Sequence, residues 1–269
     1  MGTPLFRVDK VLLWAFKSDE SIRAAKLAAT LFPQASFYLI MVVPSARARF
    51  FLTTLYREVL EVIASEVFES IERELSSLGA RIASRKRVFG RAPSAVESYA
   101  REIGANLVAT SISMELGVED VENSPVAKLV EISSIPTLIH TPLSKSVETV
   151  ARVAIAFGAY SEPKHAIEFV RDAMRVRSAL LLGVEEGANV GRARELAKKL
   201  GIEVEATCLG EVSSRVVGEL ERVTEGADLL LIDRRSLVPR EAIRVGRRRL
   251  TTAEKVLLSV SRAPTIFIP

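Results

Sequence analysis

The chain has 269 residues, 48% hydrophobic and 26% charged, with a formal net charge of +4. No apolar run approaches the ~18 residues of a membrane span, and Met1–Asp9 lacks the charged-then-apolar pattern of a secretory signal. A lone cysteine, Cys208, excludes an internal disulfide and fits a reducing cytoplasm. The positive charge is local: seven arginines and one acid, Glu241, fall between Arg234 and Arg249. A generally basic surface that coats nucleic acid is therefore not expected.

Val11–Phe16 is a continuous apolar run, the signature of a strand buried on both faces. Ser18 offers a cap for a helix over Glu20–Phe32, which carries Ile22, Ala25, Leu27 and Ala29 at helical spacing. Ser36–Val43 is a second buried strand, closed by Pro44. A long amphipathic helix follows from about Ala46 to Leu78 and stops at Gly79. Arg81–Phe89 alternates as a less buried strand, and Gly90-Arg91-Ala92-Pro93 turns into a helix with proline in its first turn. Leu107–Thr110 is a strand, Ser124-Pro125 opens another helix, and Thr137–His140 is the last strand of the series.

The series then repeats. Lys10-Val11-Leu12-Leu13-Trp14-Ala15-Phe16 is answered by Arg152-Val153-Ala154-Ile155-Ala156-Phe157-Gly158. Ala105-Asn106-Leu107-Val108-Ala109 is answered by Ala227-Asp228-Leu229-Leu230-Leu231, and Ile135-Pro136-Thr137-Leu138-Ile139 by Ala263-Pro264-Thr265-Ile266-Phe267. Matched signals in the same order mark a duplicated α/β unit, with residues 1–146 and 147–269 as its two domains. The second copy has a shortened second helix, Ala188–Leu200, and an insertion that holds the arginines. Strands alternating with helices predict two doubly wound domains, each a five-stranded parallel sheet with helices on both faces. If the strand order is 3-2-1-4-5, the ligand crevice lies beyond the carboxyl ends of the first and fourth strands. That draws attention to 16–18 and 111–114 in one half, and to 158–161 and 233–236 in the other.

Val88-Phe89-Gly90-Arg91-Ala92-Pro93-Ser94-Ala95-Val96, then Ala100 and Gly104-Ala105-Asn106-Leu107-Val108, resembles the third strand, third helix and fourth strand of the universal stress protein family. Glu225-Gly226-Ala227-Asp228-Leu229-Leu230-Leu231-Ile232 resembles the same passage in a second copy. The resemblance covers essentially the whole chain in tandem form. It implies an internal pseudo-dimer joined by antiparallel fifth strands. In family members that bind nucleotide, an aspartate ends the first strand and holds adenine. A Gly-x2-Gly-x9-Gly-Ser/Thr segment after the fourth strand wraps the phosphates, where glycine permits close backbone approach.

Carried over position by position, that pattern is degenerate. The aspartate position falls on Phe16 and Gly158. The glycine positions fall on Ser111, Met114 and Asn123 in one half, and on Asp233, Ser236 and Thr251 in the other. Only the hydroxyl survives, as Ser124 and Thr252. Phe16 cannot accept the adenine amino proton, Met114 puts a side chain into a turn that needs bare backbone, and Asp233 puts a carboxylate where phosphate would pass. ATP binding in the usual mode is therefore not expected, and neither is a cofactor.

The alternative is a modified anion site for ATP, AMP or phosphate in the second half. There Gly158 would leave space, and Thr251 and Thr252 would sit at a helix start with Arg247, Arg248 and Arg249 beside them. Thr251-Thr252-Ala253-Glu254 also reads as a capping box and Ser124-Pro125 as a plain N-cap. The arginine segment reads as a solvated or internally paired loop; it contains no aromatic residue on which a base could stack. Asp233 is expected to pair with Arg234 or Arg235, Cys208 to be a small apolar filler, and Trp14 to belong to the core. His140 is expected to end a strand and His165 to lie on a helix; two scattered histidines make no metal site. No nucleophile elbow, phosphate loop or paired catalytic carboxylates are visible. The expected protein is a non-enzymatic regulatory or protein-interaction module, acting on an unknown protein partner or as a pair of chains.

Overall fold

The computed structural model describes residues 6–16, 19–44, 54–112, 118–174, 176–210, 214–239 and 249–269. In the first half, β1 (Lys10–Trp14), β2 (Ser36–Pro44), β3 (Arg81–Gly90), β4 (Leu107–Ser111) and β5 (Thr137–His140) alternate with helices. These are α1 (Asp19–Leu31), α2 (Thr54–Ser77), α3 (Ala92–Ile103), the single turn α4 (Val118–Val121) and α5 (Pro125–Ile132). The second half supplies β6 (Val153–Phe157), β7 (Ser178–Gly183), β8 (Glu203–Cys208), β9 (Leu229–Asp233) and β10 (Thr265–Ile268). Its helices are α6 (Lys164–Phe169, continued by a wider turn through Met174), α7 (Val190–Lys199), α8 (Ser214–Gly226), the short α9 (Arg234–Leu237) and α10 (Thr252–Val260). Ser18 and the start of the long helix at Ala46 lie outside the described residues.

Each half has the expected order 3-2-1-4-5 with parallel pairing, and the two are joined into one ten-stranded sheet, β3-β2-β1-β4-β5-β10-β9-β6-β7-β8. The join is antiparallel, with Thr265 opposite Ile139 and Phe267 opposite Thr137. β1, β4, β5, β6, β9 and β10 are central. Apart from Lys10, which is half-buried, every residue of these six is buried, which is why their sequences are unbroken apolar runs and not alternating ones. Odd positions such as Val11, Leu13 and Leu107 pack under α1 and α2, while Leu12, Trp14 and Val108 face α3 and α5.

Local signals act where the sequence places them. Pro93 lies in the first turn of α3, and Gly104 ends it with φ 64°, a left-handed cap that costs glycine nothing. The Ser124 side chain accepts from the Ala127 N–H at the start of α5. The duplication extends to single hydrogen bonds. Asn106 Oδ1 accepts from the N–H groups of Asp9 and Lys10 just before β1, and Asp228 Oδ2 accepts from those of Ala151 and Arg152 just before β6. Among the described residues no helix is long and apolar enough to cross a membrane.

Candidate functional site

The crevice of the first half, at the ends of β1 and β4, is closed by its own side chains. Trp14 is fully buried, as expected of a core residue, and its ring lies 4.7 Å from that of Phe16. The Phe16 N–H donates to Ser21 Oγ at 3.0 Å, and Ser21 Oγ lies 3.1 Å from Ser111 Oγ. His140 ends β5 opposite Ser111; burial, helped by the charge of Arg23, lowers its pKa to about 4. No carboxylate stands at the position that would hold an adenine amino group. Met114 lies outside the described residues.

The second crevice differs from expectation at its centre. Gly158 does not leave space for a ligand: a Cβ there would lie 2.6 Å from the Ser236 carbonyl oxygen and closer still to the Glu185 carboxylate. The Gly158 N–H donates to Ser236 Oγ at 3.0 Å, and that hydroxyl donates to the Asp233 carbonyl at 2.6 Å. The Tyr160 N–H reaches the Ser236 carbonyl at 2.9 Å, and the Ala159 N–H reaches Glu185 Oε2 at 3.1 Å. The glycine is required because neighbouring protein, not ligand, approaches its backbone.

The charge of Arg235 acts on Asp233, as expected, but the main partner of Asp233 is a backbone N–H. Its Oδ2 accepts the Ala166 N–H at 3.1 Å, while Oδ1 is buried with no partner. Burial raises its pKa to about 6, against the lowering effect of the Ala166 and Ser236 N–H groups. Arg234 instead turns inward, donating to Glu254 Oε1 at 2.5 Å and to the Val130 carbonyl of the first half at 2.6 Å. Arg235 donates to the Pro269 carbonyl at 3.0 Å and lies 2.8 Å from His165 Nε2 on α6. The start of the arginine segment is thus structural glue between the halves, in the short helix α9 that sequence periodicity was too brief to reveal.

Thr251 forms the capping box: its hydroxyl accepts from the Glu254 N–H at 3.2 Å, and Glu254 Oε2 accepts from the Thr251 N–H at 2.7 Å. Both groups that an anion would use are engaged. Thr252 and Arg249 are exposed, whereas Arg247 and Arg248 lie outside the described residues. The Glu185 pKa is raised by burial and further by the charge of Glu254. Glu185 thus places a carboxylate against Gly158, where it would repel a phosphate. Cys208 departs from expectation in being exposed, not a filler. Among the described residues no cluster of three or more metal-ligating side chains occurs.

Neither a family profile nor a curated protein sequence matches the chain. Solved structures do. A universal stress protein from Archaeoglobus fulgidus superposes with a TM-score of 0.72 at 13% identity, over 98% of this chain and 97% of that one. The chain has the tandem universal stress protein fold. A functionally unknown protein from Pseudomonas aeruginosa gives a TM-score of 0.59 at 10% identity, over 97% and 92% of the two chains. At these identities the likeness concerns the universal stress protein fold alone. The ten-stranded sheet and internal pairing satisfy the tandem form of that fold, while the crevice chemistry is this chain's own.

Proposed function

We propose that this protein is a non-catalytic regulatory or protein-interaction module of the universal stress type, which does not bind ATP in the usual mode and needs no cofactor. The observation that carries this reading is the occupied space over Gly158, where the Glu185 carboxylate and the Ser236 backbone stand at the place of an adenine-holding pocket. The aromatic pair Trp14 and Phe16 supports the same conclusion for the first half. Likeness to a universal stress protein fold supports a stress-related role, and the lone Cys208 supports a cytoplasmic setting. Partners would be reached through the outer surface, as a protein or a second copy of this chain. Calorimetric titration of the purified protein with ATP and AMP tests the reading. No saturable heat is expected; tight binding of either nucleotide overturns it.

A second reading keeps an anion sensor in the second half, on the one observation that favours it: Thr252 and Arg249 are exposed at the start of α10. It expects phosphate or ATP to raise the melting temperature, and Thr252→Val or Arg247→Ala to abolish the rise. Hydrolysis of a nucleotide has no base or metal ligand in view to support it.

A further inference from the structure

On the face of the sheet covered by α3, Tyr38 of β2 and Tyr99 of α3 fill the space beside the edge strand β3. Tyr99 is buried, its hydroxyl lies 2.9 Å from Ser84 Oγ, and Lys86 Nζ sits 4.1 Å from its ring centroid. Strand register identifies the equivalent positions in the second half. Leu12 pairs with Tyr38 and the matching Ala154 with Leu180. Tyr38 in turn pairs with Ser84, and Leu180 with Glu205. Leu180 therefore stands for Tyr38, and Glu205 for Ser84. On α8, Leu220 and Thr224 are fully buried as Val96 and Ala100 are on α3, so Val223 stands where α3 has Tyr99.

Tyr38 and Tyr99 are thus answered by Leu180 and Val223, whose smaller side chains fill less of the space. Glu221 lies outside the groove and pairs with Arg262, at 3.6 Å. What the tyrosines fill in one half is left in the other as a groove of about 730 Å³, lined by Leu180, Val223, Arg152, Arg222, Glu203 and Glu205 among others. That volume is in the range of small-molecule sites. It lies at the amino-terminal ends of β6, β7 and β8, away from the crevice over Gly158. Among the described residues the side chains of Arg152, Arg222, Glu203 and Glu205 have neither hydrogen bond nor ion pair.

We propose that this groove binds a free aromatic α-amino acid. The ring takes the place that Tyr99 holds in the first half, against Leu180 and Val223. The ammonium meets Glu203 and Glu205, and the carboxylate meets Arg152 and Arg222, so each unpaired charge gains an opposite one. The proposal is independent of whether either crevice binds nucleotide.

Titration calorimetry of the full chain with L-phenylalanine tests it, alongside N-acetyl-L-phenylalanine amide, which has the ring but neither charge, and L-alanine, which has both charges but no ring. Saturable binding is expected for phenylalanine alone, weakened about tenfold or more by Arg222→Ala or Glu205→Gln. The double variant Val223→Tyr/Glu205→Ser rebuilds the tyrosine–serine pair; it is expected to melt no lower than the parent and to lose binding. Absence of saturable phenylalanine binding at millimolar concentration overturns the proposal. So does equal binding of the blocked amide, which would assign the groove to an aromatic side chain of a protein partner. Unchanged affinity in the folded double variant overturns it too; if that variant does not fold, the Glu205→Gln affinity decides.

Discussion

Replacing Arg234 by methionine removes the charge that neutralises Glu254 while retaining a side chain of similar reach. Both partners are deeply buried, with side-chain exposures of 6% and 0% and a separation of 2.5 Å. The same change leaves the Val130 carbonyl without its 2.6 Å donor. Breaking a buried pair from one side typically costs about 3–5 kcal/mol, because the remaining charge stays desolvated. In a chain of this size roughly 2–4 °C accompanies each kcal/mol, so the midpoint of a calorimetric melt is expected to fall by about 10 °C. Adding Glu254→Gln neutralises the stranded carboxylate and keeps a residue that can complete the capping box with Thr251. Arg234→Met/Glu254→Gln is therefore expected to be more stable than Arg234→Met by about 1–2 kcal/mol, a non-additive cycle. A single variant melting within about 2 °C of the parent, or a double variant with simply additive losses, refutes the claim that this pair is desolvated and coupled.

Three further outcomes follow from the crevices. Gly158→Ala forces a Cβ toward the fixed Ser236 carbonyl as well as the movable Glu185 and is expected to cost about 1–3 kcal/mol in urea denaturation; a neutral effect would mean that the crevice is open. The Asp233 pKa rises from 3.8 to about 6 on folding, so its ionised form costs stability above pH 6, and the cost fades as pH falls toward 3.8. Removing that relief with Asp233→Asn should deepen the loss of stability between pH 7 and 5 by about 1 kcal/mol, and an unchanged slope would contradict it. His140 has the opposite sign: its pKa falls from 6.5 to about 4, so the stability it retains above pH 6.5 is lost on acidification. His140→Phe should flatten the same acid limb by about 1–2 kcal/mol, read from the pH dependence of urea midpoints.

What the sequence disclosed is what depends on residues close together in the chain. Apolar runs such as Val153–Phe157 announce strands buried on both faces, Thr251 and Glu254 announce their reciprocal cap, and Gly104 its left-handed stop. The parallel sheet followed from strands alternating with helices, and the antiparallel join from the family resemblance. What stayed hidden depends on encounters between distant residues. Nothing local to Gly158 says that Glu185 will fold over it from the end of β7, or that Ser236 will receive its N–H. The positive charge of Arg234 looked like part of a solvated run, because its buried partner lies twenty residues on and its carbonyl acceptor in the other half.

A single physical circumstance connects these misses. In a duplicated chain, one copy of a crevice can be closed by side chains that evolved on neighbouring elements, without any change to the strands that define it. At Gly158 a bare backbone position survives, but the Glu185 carboxylate and the Ser236 carbonyl now crowd it, so the glycine persists for packing and not for phosphate. At Leu180 and Val223 the reverse has occurred: smaller side chains stand where two tyrosines pack in the first half, and an open groove is left. Chemistry in this molecule should therefore be sought where the two halves differ in what they fill, not where the fold keeps its usual pocket.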